Sequence, residues 1–410
     1  RPKKTVDDIE NTVNQIFNDV KKNGDKAVNK YTQLFHGVTL ENNLVAELEI
    51  NDAIATISED LKEAINLAKT NITKFHIAQK TDKVFVETVN GVECWQEKRP
   101  IQKVGLYIPG GTAPLFSTVL MLAIPAQIAG CKDIVLCSPP NSEGEIHPAI
   151  LYAANLCGVT KIIKVGGIQA ISGLTFGTET IPQVYKIFGP GNQFVTVAKQ
   201  LATKYGVAID MPAGPSELLV VADDSANASY VASDLLSQAE HGADSQVILV
   251  STSKDLIADV EIEINKQILA LPRVEIAEKA IANSKSIFVE NDEVALKIIN
   301  EYGPEHFIIC TNNNDFYVDN IANAGSVFIG NYTPESAGDY ASGTNHTLPT
   351  NGFSKAYSGV NLDSFTKSIT FQKISKKGIK TIGNAIELMA DAEGLQAHKN
   401  AISIRLKDLE

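Results

Sequence analysis

Seven histidines occur among 410 residues, and His241, His306, His346 and His398 all fall in polar, glycine-punctuated stretches. In SDLLSQAEHGADSQ, residues 233–246, Gln238 and His241 are three apart. That spacing puts two side chains on one face of a helix, about one turn apart. An amide oxygen and an imidazole held so could be two ligands of one metal ion. An ordinary helix end with a solvated histidine uses the same residues, and two ligands are a weak signal beside full zinc spacings. GPEH, residues 303–306, sets Glu305 and His306 side by side. With ordinary pKa values of about 4.3 and 6.5, the imidazole can take a proton at neutral pH and the carboxylate can orient or deprotonate water. YTPESAGDYASGTNHTLPT, residues 332–350, adds Asp339 and His346 on a stretch too polar for a core. AEGLQAHKN, residues 392–400, adds Glu393 and His398 near the end of the chain, where a histidine is ordinarily a surface residue. Taken together these stretches point to a metal ion with a base beside it.

Such groups need elements to hold them. Apolar residues make up 44% of the chain and charged residues 20%, as in globular domains large enough to bury a core. A net charge of −12 argues against a nucleic-acid or anionic-membrane partner. The five cysteines are irregularly spaced without a CxxC, so reduced thiols and a cytoplasmic location are expected. The apolar run 119–129 is too short to span a bilayer, and no secretion signal is seen. Apolar periodicity predicts helices over 6–31 and 52–76 and one or two strands over 83–97. From residue 101 strand, glycine turn and helix alternate: strands at 104–108, 133–137, 161–165 and 184–188, then, in a second block, at 218–221, 246–251, 286–289, 306–310 and 326–329. This alternation predicts two similar doubly wound parallel-sheet lobes. The helix carrying Gln238 and His241 is expected over 226–241, stopped by Gly242 in a left-handed conformation. Residues 331–361 read as an ordered loop, and 383–406 as two helices broken near Gly394. The expected division is 1–100 for N-terminal helices and first strands, 101–212 for the first α/β lobe, 213–365 for a second lobe with the candidate metal and catalytic residues, and 366–410 for a helical tail.

Three glycine turns, at 109–111, 166–167 and 189–191, follow predicted strands. Exposed backbone amides before a helix can cradle a pyrophosphate, although GxGxxG is absent and tight βα turns use the same residues.

The blocks VGLYIPGGTAPLFSTVLM, VGGIQAI, FGPGNQFV, MPAGPSELLV, SDLLSQAEHGADSQ, GPEH, NAGSVFIGNYTPESAGDYASGTNHTLPT and AEGLQAH, in this order from about residue 104 to 401, resemble the histidinol dehydrogenase family. Phe116 and Thr344 stand where that family usually has proline, and neither change removes a functional group. The resemblance implies a Rossmann-like, aldehyde-dehydrogenase-like fold and oxidation of L-histidinol to L-histidine through the aldehyde, with NAD and one zinc ion per subunit. It implies Gln238, His241, Asp339 and His398 as zinc ligands that also meet the substrate, and Glu305 and His306 as the catalytic pair. Ser216, His346 and Glu393 would contact histidinol, and Tyr107, Gln169 and Asn192 would contact NAD. It further implies a homodimer whose C-terminal tail, with Glu393 and His398, serves the partner's site. Two other readings suit the same residues. A zinc-dependent hydrolase would use the ligands and Glu305 on water; a two-lobed metal- or solute-binding protein would need no Glu305–His306 pair.

Overall fold

A computed structural model describes residues 7–110 and 114–409, so Gly111, in the first expected glycine turn, lies outside the described residues. The chain opens with α1 (Asp7–His36), α2 (Glu47–Thr56) and α3 (Glu59–Ala78), followed by the hairpin β1 (Val84–Val89) and β2 (Val92–Pro100). The first lobe runs β3 (Lys103–Tyr107), α4 (Phe116–Ala129), β4 (Asp133–Ser138), α5 (Pro148–Leu156), β5 (Lys161–Lys164), α6 (Gly167–Phe176), β6 (Lys186–Phe188), α7 (Gln193–Thr203) and β7 (Ala208–Ile209). The second runs β8 (Glu217–Ala222), α8 (Ala228–Ala239), β9 (Gln246–Ser251), α9 (Lys254–Gln267), α10 (Val274–Ala282), β10 (Lys285–Phe288), α11 (Asp292–Tyr302), β11 (His306–Cys310), α12 (Asn314–Asn320), β12 (Ser326–Ile329) and α13 (Glu335–Tyr340). The chain ends with β13 (Thr366–Ile374), α14 (Lys376–Ala392) and α15 (Gln396–Lys407).

Both lobes are parallel five-stranded sheets with the same winding, β5-β4-β3-β6-β7 and β10-β9-β8-β11-β12. In each, the first strand is central and the order reverses beside it, which opens a crevice between strands one and four. The period of two along each strand feeds a core on either face. Val104 and Leu106 of β3 pack in one cluster, Tyr107 in the other. Leu218, Val220 and Ala222 of β8 face one way, Leu219 and Val221 the other. After the second lobe the chain returns to the first: buried Phe365 stacks on Phe188 of β6 with centroids 4.0 Å apart, and its carbonyl accepts from the Ile101 amide.

Two compact units result, one comprising the described chain to Gln79 together with 101–365, the other 80–100 together with the chain from Thr366. In the second unit β2 pairs antiparallel with β1 and with β13, and α14 packs against α15. Among the described residues no helix is long and apolar enough to cross a membrane.

The structure differs locally from expectation in several places, beginning with the expected helix 52–76, which is split into α2 and α3 with Ser58 capping the second. Helix α8 ends at Ala239 with Glu240 as a right-handed C-cap, and Gly242 does not take a positive φ. The His241 amide instead donates to the Gln238 carbonyl (3.2 Å), a tightened last turn that needs no left-handed residue. The expected loop 331–361 contains α13, and β13 was not anticipated at all. Helix α14 begins at Lys376 rather than near 383, with Ser375 capping it by accepting from the Gly378 amide.

Helix α8 also buries a carboxyl group. Asp234 is 9% exposed, and burial pushes its carboxyl up to about 7. The folded chain therefore keeps a proton that the unfolded chain has released, and stability falls as pH rises through that interval. Asp234→Asn is expected to stabilise the protein by about 1–3 kcal/mol at about pH 8 and by little at about pH 4. Urea unfolding at the two pH values reads the difference; equal effects at both would contradict it.

Candidate active site

Strand pairing positions the acid–base groups. His306 opens β11 in register with Leu218 of β8, so both groups of the Glu305–His306 pair lie beside the main chain of Glu217. The Glu217 amide donates to Glu305 Oε2 (2.8 Å), and the Glu217 carbonyl accepts from His306 Nδ1 (3.2 Å). In the neutral ring a proton held on Nδ1 leaves Nε2 as the lone pair, and Nε2 is buried with no hydrogen-bond partner. Burial would lower the His306 pKa, but the carboxylates of Glu335, Glu305 and Asp339 outweigh it and raise it to about 10, so the ring becomes a neutral base only where a cation offsets those carboxylates. Burial raises the Glu305 carboxyl to about 8, against the pull of His306 and of the Glu217 amide. Both residues lie at the amino ends of the second sheet's strands, not at the carboxyl ends where α/β sheets usually bind ligands. The crevice is completed by the carboxyl end of the other sheet: one small cavity of about 50 Å³ is lined by Gly189 and Pro190 after β6 and by Ser216, Glu305 and His346.

Around His306 stands a cluster of possible ligands. His241, Glu335 and Asp339 each offer an atom within 4.8 Å of the others. Glu335 Oε1 lies 3.6 Å from His306 Nδ1, and Asp339 Oδ1 3.7 Å from His306 Nε2. Burial opposes ionisation of Asp339, yet the imidazoles of His306, His346 and His241 hold its carboxyl below the usual value. Burial pushes Glu335 well above it. Gln238, one turn before His241, is fully buried with neither amide atom bonded, and Glu335 Oε1 is likewise orphaned. Buried polar atoms without partners are costly. An imidazole and two carboxylates within reach of one another, with an unbonded buried amide one turn before the imidazole, are a donor set that fits a divalent cation such as zinc. Glu335 was missed in the sequence, although its spacing of four from Asp339 on α13 puts both on one helix face.

His346 is fixed from both sides. Its Nδ1 donates to the Asp339 carbonyl (2.9 Å), which leaves Nε2 to accept from Thr118 Oγ1 (3.1 Å). Glu393 caps α14 and His398 lies on α15; both belong to the second unit and both are exposed.

A larger cleft of about 430 Å³ opens at the carboxyl end of the first sheet, lined by Tyr107, Gly167, Ile168, Asn192, Phe35 and Phe194 among others. The Tyr107 hydroxyl accepts from the Gly167 amide (3.1 Å), and burial raises it to about 12. Asn192 caps α7 by accepting from the Val195 amide, and the half-exposed rings of Phe35 and Phe194 are apolar faces for a base. Gln169, next to Ile168, is a second fully buried amide with neither atom bonded. Gly189 has φ 123°, and a Cβ there would stand 2.0 Å from the Tyr107 carbonyl oxygen, so this turn admits only glycine.

The model of the histidinol dehydrogenase family matches residues 1–406. The chain belongs to the histidinol dehydrogenase family. A histidinol dehydrogenase of Bacteroides thetaiotaomicron is 58% identical over 410 residues, covering all of this chain and 96% of that one. One from Escherichia coli is 52% identical over 404 residues, 98% of this chain and 92% of that one. The crystal structure of histidinol dehydrogenase from Elizabethkingia anophelis superposes with a TM-score of 0.97 at 56% identity, covering 100% of this chain and 94% of that chain. Betaine aldehyde dehydrogenase from Staphylococcus aureus, 12% identical with a TM-score of 0.52 over 90% of this chain and 83% of that one, shares the two-lobed fold. As a member of this family the protein is an oxidoreductase of histidine biosynthesis. The hydrolase and the solute-binding readings are thereby set aside.

Replacing an orphaned amide by an apolar group of similar size separates ligation from packing. Gln238→Leu is expected to stabilise chelator-treated protein by about 1–3 kcal/mol while weakening zinc binding at least about tenfold. Thermal unfolding with EDTA and a zinc competition assay read the two effects. Unchanged zinc affinity would exclude Gln238 as a ligand.

Proposed function

We propose that this dehydrogenase oxidises L-histidinol to L-histidine in two successive oxidations, with NAD⁺ as acceptor and one zinc ion held by Gln238, His241, Asp339 and His398. Bound NAD⁺ supplies a hydride acceptor, and bound zinc supplies a charge that holds the nitrogen ligands of the substrate and offsets the carboxylates around His306. The observation that carries this reading is the orphaned, buried His306 Nε2 beside Glu305, with the unbonded Gln238 amide and Glu335 Oε1 buried nearby in the same lobe.

The residues then act in order. His306 Nε2 takes the proton of the carbinol hydroxyl as the carbinol carbon gives up hydride, leaving the aldehyde. Glu305 takes a proton from water as the water oxygen adds to the aldehyde carbon, and protonated His306 returns its proton to the carbonyl oxygen, which gives the hydrate and restores the neutral ring. His306 Nε2 then takes a hydroxyl proton from the hydrate as the second hydride leaves, and the carboxylic acid so formed releases its proton to water as the carboxylate of histidine. The Glu217 main chain keeps the Glu305 oxygen and the His306 ring in place throughout. Ser216 and His346 line the small cavity on the substrate's side; Tyr107 and Asn192 line the larger cleft on the NAD side, and Gln169 follows Ile168 of that lining. Sequestration of the aldehyde in a cavity this small favours the second oxidation over escape.

In the proposed homodimer, Glu393 and His398 of one protomer's tail complete the substrate and zinc sites of the other. The exposure of both residues, and of the apolar Leu388 and Met389 on the same unit, supports an intermolecular role.

Zinc-loaded protein is expected to form two NADH per L-histidinol, read by NADH absorbance. His306→Asn should cut the rate by about 10²–10⁴-fold with zinc retained. Glu305→Gln should impair oxidation of added histidinaldehyde far more than the first oxidation of L-histidinol. No NADH from zinc-replete wild type would overturn the reading.

A further inference from the structure

A buried ion pair lies at the seam between the dinucleotide cleft and the catalytic pair. Lys199 of α7 and Asp210, just after β7, have side chains only 4% and 1% exposed, with Nζ 2.5 Å from Oδ1. Their other bonds converge on one residue. Lys199 Nζ donates to the Gly189 carbonyl (2.7 Å), and the Gly189 amide donates to Asp210 Oδ2 (2.8 Å). Gly189 is therefore gripped at both main-chain groups by the two members of the pair. It is also the glycine-only position whose turn leads to Asn192.

The same Asp210 starts the segment 210–217 that crosses to the second lobe. Its Oδ1 accepts from the Met211 amide (2.7 Å), and Gly214 within the segment donates to Thr350 Oγ1. The segment ends at Glu217, whose amide and carbonyl hold Glu305 and His306. One short stretch thus grips the dinucleotide turn at its start and the acid–base pair at its end. Lys199, Asp210, Gly189, Ser216 and Glu305 line the same cavity of about 50 Å³.

We propose that Lys199 and Asp210 are positioning residues that set the distance between the hydride acceptor and the His306–Glu305 pair. This rests on reading the cleft beside Gly189 as the NAD site. A buried pair is a weak source of stability, because apolar residues of similar volume often do as well. What it supplies here is two directed anchors on a turn that has no side chain of its own.

The test compares wild type, Lys199→Met, Asp210→Asn and the double variant Lys199→Met/Asp210→Leu, which leaves no unpaired buried charge and keeps the question open if a single variant misfolds. KM for NAD⁺, kcat, L-histidinol affinity without NAD⁺, and the primary isotope effect with L-histidinol deuterated at the carbinol carbon are measured. Displacement of the turn is expected to raise KM for NAD⁺ and lower kcat, together by about 10²-fold in kcat/KM. The isotope effect should grow while L-histidinol affinity stays unchanged. Variants with a lower melting temperature but wild-type KM and isotope effect would overturn the positioning role. Wild type that fails to bind NADH by fluorescence would overturn the dinucleotide reading, and this proposal with it.

Discussion

The main chain of Glu217 is the constraint on which the site depends. Parallel pairing of β8 with β11 in register places this one peptide beside the two residues that do acid–base work. Its carbonyl fixes the tautomer of His306, and its amide satisfies one oxygen of Glu305. Both bonds anchor a side chain on main-chain atoms of a sheet strand, so the anchor for the pair is as rigid as the sheet. Moving β11 by one residue would turn His306 to the opposite face of the sheet, into the core that Phe307 now fills.

A second feature is the tolerance of unpaired polar atoms around that peptide. Elsewhere in the second lobe both faces of the sheet carry apolar clusters. At its amino edge, by contrast, the amide of Gln238, Nε2 of His306 and Oε1 of Glu335 are all buried without partners. The amide of Gln169 repeats the pattern next to the dinucleotide cleft. A chain that folds around such groups gives up stability locally, and the groups are then free to bind something else.

Much of this was legible in the sequence because it is local. Strand–turn–helix alternation identified both lobes, and GPEH placed two proton acceptors next to each other. The less legible parts are non-local or hidden by polarity. Glu335 sits in a stretch so rich in Gly, Ser, Thr and Asn that its short helix was read as loop, and its pairing with Asp339 on one face went unseen. The end of α8 was misjudged because Gly242 suggests a left-handed stop, whereas the turn closes on the Gln238 carbonyl without one. The position of Glu305 and His306 at the amino edge of their sheet follows from how two lobes face each other across a cavity, which no periodicity within one strand reports. Nothing in the sequence singles out Lys199 and Asp210, since only the fold brings a lysine on a helix and an aspartate after a strand onto the same glycine.

The return of the chain to the first lobe has a consequence for the newly made protein. Phe365 stacks on Phe188 inside the first lobe's core, although 176 residues of sequence separate them and the whole second lobe lies between. As the chain leaves the ribosome, the first sheet can pair early, but an apolar gap beside β6 persists until residue 365 emerges. The two lobes therefore mature together, and a truncated chain ending within the second lobe would present that gap to chaperones and proteases.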